Sequence, residues 1–218
     1  MFWDMTKTAI ADCRLYGFID TAYLAGRDAA ELTLQLIAGG VDVIQVRAKH
    51  ETHPQRVALA LAVVRAAQSS PVPIIVNDDI VAAFEADADG VHLGQEDWAA
   101  IPRDKRREKL AGLRIVGIST HSLEQAQTAE RDGANYIGVG PVFATGTKSG
   151  MEPVGAELVR QIAARVAVPF FAIGGITTAN LDEVLAAGAT RVAIVSAILF
   201  APDVAKAAAR FKKRLLEL

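Results

Sequence analysis

Residues 41–50 read Val-Asp-Val-Ile-Gln-Val-Arg-Ala-Lys-His, and the alternation within them decides the fold. A period of two sends Val43, Gln45, Arg47 and Lys49 to one face and Ile44, Val46 and Ala48 to the other. Helix-like stretches flank the run on both sides, so its apolar face must meet helices and its polar row must point the opposite way. An exposed edge strand would also tolerate solvated charges; two helical flanks favour an internal strand. In a closed barrel the polar row faces the interior and climbs toward the C-terminal mouth, where two cations are costly unless something anionic meets them.

The same unit recurs outward in both directions. Short apolar runs are expected as strands at Leu15–Asp20, Val43–Lys49, Pro73–Asn77, Gly90–Leu93, Ile115–Ser119, Tyr136–Val139, Phe170–Ile173 and Arg191–Val195. Between them stand helical patterns such as AAELTLQLIAGG, RVALALAVVRAAQ, LEQAQTAERDG, AELVRQIAARV and NLDEVLAAG, several ended by glycine, while IPRDKRREKLAG is charged and only weakly helical. Five or six strands would suit an open doubly wound sheet; eight at this length suit a (β/α)8 TIM barrel. The first strand is followed by FIDTAYLAG and not by a glycine-rich dinucleotide fingerprint, which weakens the open sheet. The expectation is one α/β domain over residues 1–218, with residues 1–13 an N-terminal extension.

Composition narrows the partners. A chain of 218 residues that is 51% hydrophobic can bury a sizeable core. Its formal net charge of −2 offers no field to hold a nucleic-acid backbone, so a small molecule is the better starting expectation. Cys13 is the single cysteine, which excludes an internal disulfide or a cysteine metal cluster and suits a reducing compartment. No apolar run is long enough to span a bilayer and the N-terminus lacks a leader pattern, so a cytoplasmic protein without a membrane partner is expected. The sequence leaves association into a homo-oligomer open.

Chemistry-bearing residues crowd the strand ends. Asn77, Asp78, Asp79, His92, Gln95, Glu96 and Asp97 fall on two neighbouring loops of one rim. Carboxylates there, with no cysteine nearby, suit Mg2+, which takes one or two carboxylates and completes its shell with water and phosphate oxygens; Asp78 and Asp97 are the candidates. Helix capping competes with this reading for Asp79 and Asp97. His92 has no second histidine at helical spacing, which argues against zinc. After the seventh strand stands AIGGIT and after the eighth VSAIL, where close backbone approach and a helix N-terminus carrying a partial positive charge of about half an electron favour a phosphate. The glycine pair Gly174 and Gly175 would equally make a tight turn. PVFATGTKSG, residues 141–150, adds two threonines, a lysine and two glycines where the sixth strand ends.

In order along the chain, QVRAK, VNDD, GVHLGQED, GISTHSLEQA, YIGVGPVFATGTKSG, PVG and AIGGI resemble the thiamine-phosphate synthase family, from the second strand to the eighth. The resemblance implies a (β/α)8 barrel that joins 4-amino-5-hydroxymethyl-2-methylpyrimidine diphosphate to 4-methyl-5-(2-phosphoethyl)thiazole with Mg2+, releasing thiamine phosphate and diphosphate. Carried over by motif, Gln45 and His92 would lie beside the pyrimidine. Arg47, Lys49, Asn77, Ser119 and Lys148 would meet its diphosphate, with Arg47, Lys49 and Lys148 as the catalytic cations. Asp78 and Asp97 would hold the metal. Thr145, Thr147, Gly175 and the backbone at Ser196 would bind the thiazole phosphate. Thr120 is expected to cap the helix that begins at LEQAQ, and His121 receives no role.

The chain departs from the family pattern in three places. Ala48 stands where the family commonly has an acidic residue, Gly146 where it has proline, and the first strand matches the family's threonine-aspartate ending poorly. Ala48 faces the helices by the alternation above, so its effect belongs to packing; Gly146 frees the loop. Two other functions compete with synthesis. A thiazole tautomerase of the same barrel superfamily would keep a phosphate site without needing the aspartates or the TGTK stretch, and a non-catalytic barrel would bind a phosphorylated ligand without needing Asp78, Asp97 and Lys148 together.

Overall fold

In a computed structural model that describes residues 7–146 and 152–218, eight parallel strands close into a barrel, each paired with the next and β8 with β1. The strands are β1 Leu15–Asp20, β2 Val43–Arg47, β3 Ile74–Asn77, β4 Gly90–Leu93, β5 Ile115–Thr120, β6 Tyr136–Val139, β7 Phe170–Ile173 and β8 Val192–Ala193. All lie in one parallel sense, so every strand delivers its C-terminal residue to the same mouth. Valine and isoleucine dominate these runs because both faces are covered, the outer by helices and the inner by the opposite wall.

Helices follow each strand, and their starts are set by side-chain caps. Asp28 accepts from the Glu31 amide at 2.8 Å to open Ala29–Ala38, and Asp79 accepts from the Ala82 amide at 2.9 Å to open Ile80–Glu85. Thr52 and Gln55 form a capping box before His53–Ala66. Ser122, and not Thr120, caps Leu123–Arg131. The expectation for Thr120 is corrected because β5 runs on to that residue: its hydroxyl is buried and donates to the Gly138 carbonyl at 3.0 Å. The charged run does form a helix, Arg103–Lys109, anchored where Arg106 lies 3.9 Å over the Trp98 ring and pairs with Asp132 at 2.5 Å. At the edges of the expected strands, β2 stops at Arg47 and β8 keeps only two paired residues.

The end opposite the mouth is clasped by polar contacts. Asp42 accepts from the amides of Arg14 at 2.9 Å and Leu15 at 2.8 Å and pairs with Lys212, which ties β1 and β2 to the helix Val204–Leu216. Cys13 packs beside it, fully buried, and burial pushes its thiol up to about 12. Lys7 donates to the carbonyls of Ala67, Ser70 and Val72 at 3.0 to 3.3 Å, closing the chain's start over the third strand's entry. Trp3 lies outside the described residues.

Candidate active site

Inward positions follow from the period of two. Tyr16, Phe18 and Asp20 of β1 share the interior with Gln45 and Arg47 of β2, as the pairings Phe18 to Gln45 and Asp20 to Arg47 require. Their neighbours around the barrel enclose a cleft of about 890 Å³, counted out to its open mouth. Of the residues expected at the site, Gln45, Arg47, Asn77, His92, Ser119, Thr145, Gly175 and Ser196 all line this one space. Lys49, Asp78 and Asp97 do not line it; they gather beside Asn77 at its rim. Thr147 and Lys148 lie outside the described residues.

The cleft floor is aromatic and hydrogen-bonded. Gln45 Nε2 donates to the Tyr16 hydroxyl at 2.9 Å, the hydroxyls of Tyr16 and Tyr136 are 2.8 Å apart, and His92 joins Tyr136 through Nδ1 at 2.9 Å and Ser119 through Nε2 at 2.9 Å. Phe171 meets both tyrosine rings edge-on at 5.2 and 5.6 Å. Tyr136 fits only because residue 117 is glycine: a Cβ there would overlap its ring. Neither tyrosine was expected at the site, since a tyrosine in an apolar run reads as core. The signal available was the alternation itself, which puts Tyr16 in line with Asp20, and Tyr136 in line with Gly138.

Toward the rim the groups become charged. Arg47 pairs at 2.7 Å with Asp20, whose side chain is only 1% exposed, so the guanidinium is aimed by a buried carboxylate that also caps the turn Thr21–Leu24. Lys49 sits 3.4 Å from Asp78, which also accepts from Asn77 Nδ2 at 2.6 Å. Asp78 has φ +62°, an uncommon region that aspartate tolerates better than most residues and that marks functional sites. Desolvation raises the Asp97 carboxyl above its ordinary range, and the charge of Asp78 beside it raises it further, against a hydrogen bond from the Gly94 amide. Two carboxylates crowded in this way fit a divalent cation, which would lift their repulsion. Among the described residues no larger cluster of His, Cys, Asp or Glu competes as a metal centre. Asp79, one residue on, is a cap and faces away to His53 and Arg56, both at 2.9 Å. Gln95, which received no role from sequence, does not line the cleft but donates to the Ser119 carbonyl at 2.5 Å, behind a residue that does.

At the opposite end, glycines let two loops interlock. Gly174 and Gly175 have φ of +101° and +65°, and the amides of Val142 and Phe143 donate to the carbonyls of Ile173 at 2.9 Å and Gly174 at 3.0 Å. A Cβ on Gly174 would stand 2.5 Å from Pro141 Cβ, so the glycine pair is needed for this seam as well as for any anion. The seam supports Thr145, which faces the cleft together with Gly175 and Ser196. Ser196 opens a helix of only four residues, Ser196–Leu199. His121 also lines the cleft, its Nδ1 bonded to the Gly140 carbonyl.

Comparison with known proteins gives a consistent relationship. A family model described as thiamine monophosphate synthase matches residues 15–198. Over 195 residues the chain is 42% identical to a thiamine-phosphate synthase of Halalkalibacterium halodurans, covering 88% of this chain and 90% of the relative. It is 41% identical over 210 residues to one from Chloroflexus aurantiacus, covering 95% of each. Among solved structures, a thiamine phosphate pyrophosphorylase from Pyrococcus furiosus superposes with a TM-score of 0.83 at 33% identity, over 95% of this chain and 97% of that one.

Proposed function

The chain belongs to the thiamine-phosphate synthase family, and on that premise we propose how its cleft joins the aminopyrimidine diphosphate to the thiazole phosphate. As a member of that family it is a transferase acting in thiamine biosynthesis. The observation that carries the proposal is the separation of the cleft into a cationic, carboxylate-rimmed end around Arg47, Lys49 and Asp78 and a glycine-backed end around Thr145 and Gly175. Each end suits one of the two phosphorylated substrates.

In the reaction, the bond from the pyrimidine methylene carbon to the diphosphate oxygen breaks, and its electron pair leaves with the diphosphate. The aminopyrimidine ring spreads the positive charge left behind, and the thiazole nitrogen lone pair then forms the new carbon–nitrogen bond. No protein group need gain or lose a proton in this step. Arg47, Lys49, Asn77 and Ser119 bind the diphosphate, and Lys148 joins Arg47 and Lys49 in stabilising charge as it grows on the departing oxygens. Losing one such donor costs about 3 to 4 kcal/mol in comparable sites, or roughly 100- to 1000-fold in rate. Asp78 and Asp97 would hold a Mg2+ ion, whose charge serves as a Lewis acid on the leaving group. Gln45 and His92 orient the ring, and Thr145, Thr147, Gly175 and the backbone at Ser196 hold the thiazole phosphate. No helix among the described residues is long and apolar enough to cross a membrane. We further propose a cytoplasmic location, which the free buried thiol of Cys13 suits. Residues 1–218 then form one catalytic domain with residues 1–13 as an extension, acting within a single subunit even where copies assemble into a homo-oligomer.

The test is thiamine phosphate formation from the two substrates with Mg2+, and its loss when the metal is chelated. Lys148→Ala should lower kcat more than it raises KM for either substrate, because its contribution grows only in the transition state. A change confined to KM for the thiazole would move Lys148 to the other phosphate.

A further inference from the structure

Two single turns of helix flank the junction of β1 and β8: Thr21–Leu24 follows β1 and Ser196–Leu199 follows β8. A lone turn makes too few hydrogen bonds to hold itself, so its place must be fixed from outside. Asp20 fixes the start of the first turn, accepting from the Ala22 amide at 3.0 Å while its other oxygen holds Arg47 at 2.7 Å. Arg27 fixes the end, its Nε donating to the Leu24 carbonyl at 3.0 Å and its Nη2 to the Tyr23 carbonyl at 2.5 Å. The same Nη2 donates at 2.8 Å to the carbonyl of Leu199, the last residue of the second turn. Arg27 is brought there by Ala25 at φ +49° and Gly26 at φ +80°. A left-handed conformation is uncommon in a residue with a Cβ and persists where its surroundings impose it.

The carbonyl ends of helical turns gather partial negative charge, which favours a cation such as the Arg27 guanidinium. The second turn is thereby moored at its last residue, with Ile198 and Leu199 buried and a ring contact between Tyr23 and Phe200 at 4.9 Å beside them. β8 gives that turn little support of its own, since only Val192 and Ala193 pair with either neighbouring strand. Ser196, at the opposite end of the turn, faces the cleft, and Arg27 does not. A turn of this length spans about 5 to 6 Å, so holding one end sets where the backbone at the other end points. We propose that Arg27 is a positioning residue for the thiazole phosphate: from outside the cleft it hangs the turn that opens at Ser196 on the turn that follows β1. This deepens the reading above and rests on it, since that reading puts the phosphate at Ser196, Thr145 and Gly175.

Steady-state kinetics well below the melting temperature, with each substrate varied against a saturating partner and Mg2+, test the assignment. Arg27→Ala loses hydrogen bonds from a charged donor and should raise KM for the thiazole phosphate roughly 10-fold. Its kcat and its KM for the pyrimidine diphosphate should stay within about twofold of wild type, because Asp20 still holds Arg47. Arg27→Lys keeps the charge without the planar fork; it should preserve the fold and raise the thiazole KM only about threefold. A role confined to stability would lower the melting temperature of Arg27→Ala and move neither KM. An unchanged thiazole KM in either variant, or equal rises for both substrates, overturns the inference. Thr145→Ala, made alongside, tests the reading beneath: if it too leaves the thiazole KM unchanged, the phosphate binds elsewhere and both fall.

Discussion

Single residues at the rim carry the sharpest electrostatic consequences. Asp97 is held above its ordinary range by desolvation and by the neighbouring charge of Asp78, so a divalent cation should stabilise the folded protein by about 1.4 kcal/mol at ten times its Kd. Thermal melts of Asp78→Asn and Asp97→Asn should lose that increment with the fold retained. Asparagine is the right replacement at residue 78 because it tolerates φ +62°, which alanine does not do as well. If both variants gain as much as wild type, the metal binds elsewhere. His53 behaves in the opposite sense: its hydrogen bond to Asp79 raises its pKa above 6.5, with Glu85 adding to it against a lowering by desolvation. A histidine with a raised folded pKa contributes stability in full below its unfolded value of about 6.5 and loses it as pH rises through the folded value. Proton NMR should therefore find the His53 midpoint above 6.5, Asp79→Asn should bring it down, and His53→Gln should remove that portion of the pH dependence of unfolding.

At the level of elements, the interlocked loops after β6 and β7 predict a contrast between two glycines. Gly174→Ala places a Cβ at φ +101° and 2.5 Å from Pro141, which should cost roughly 1 to 3 kcal/mol and raise KM for the thiazole phosphate by loosening the loop that carries Thr145. Gly146→Ala, with nothing within 4 Å of its added Cβ, should stay within about 0.5 kcal/mol of wild type. Denaturant melts and steady-state kinetics of the pair check this, and equal effects would show that the seam does not position the loop. The sequence was readable at this scale where a physical constraint was strong. Strands buried on both faces betray themselves as valine and isoleucine runs, and the row Gln45 and Arg47 shows as polar punctuation of such a run. Short turns of helix such as Gln95–Ala99 and Ser196–Leu199 carry too few residues for a period to show. The helix Val204–Leu216 was legible and unread: Val204, Ala208, Phe211 and Leu215 form its buried stripe and Asp203 caps it. Tyr16 and Tyr136 stayed hidden because a place in the core and a place on the cleft floor make the same demand of an aromatic ring, and only the hydroxyl contacts separate them.

Over the whole molecule, closure depends on its thinnest joint. β8 contributes two paired residues to the β1–β8 seam, and on the other side of β1 the clasp of Asp42 on the amides of Arg14 and Leu15 and on Lys212 ties β1 and β2 to the last helix. Asp42→Ala strands two backbone donors and should cost roughly 2 to 4 kcal/mol, read from urea unfolding. The cleft residues Arg47, Asn77, His92 and Ser119 lie at the far end, on strands β2 to β5, which pair over longer registers. The burial of Cys13 against that clasp gives the chain an intrinsic clock. The thiol is silent to alkylating reagents while the barrel is shut, both because it is buried and because it is pushed up to about 12, and it is the sole cysteine in the sequence. Each modification event therefore records one opening of that clasp. Where closing outruns the reagent, the labelling rate should climb roughly 30- to 900-fold in Asp42→Ala, the same 2 to 4 kcal/mol expressed as a population of open barrels.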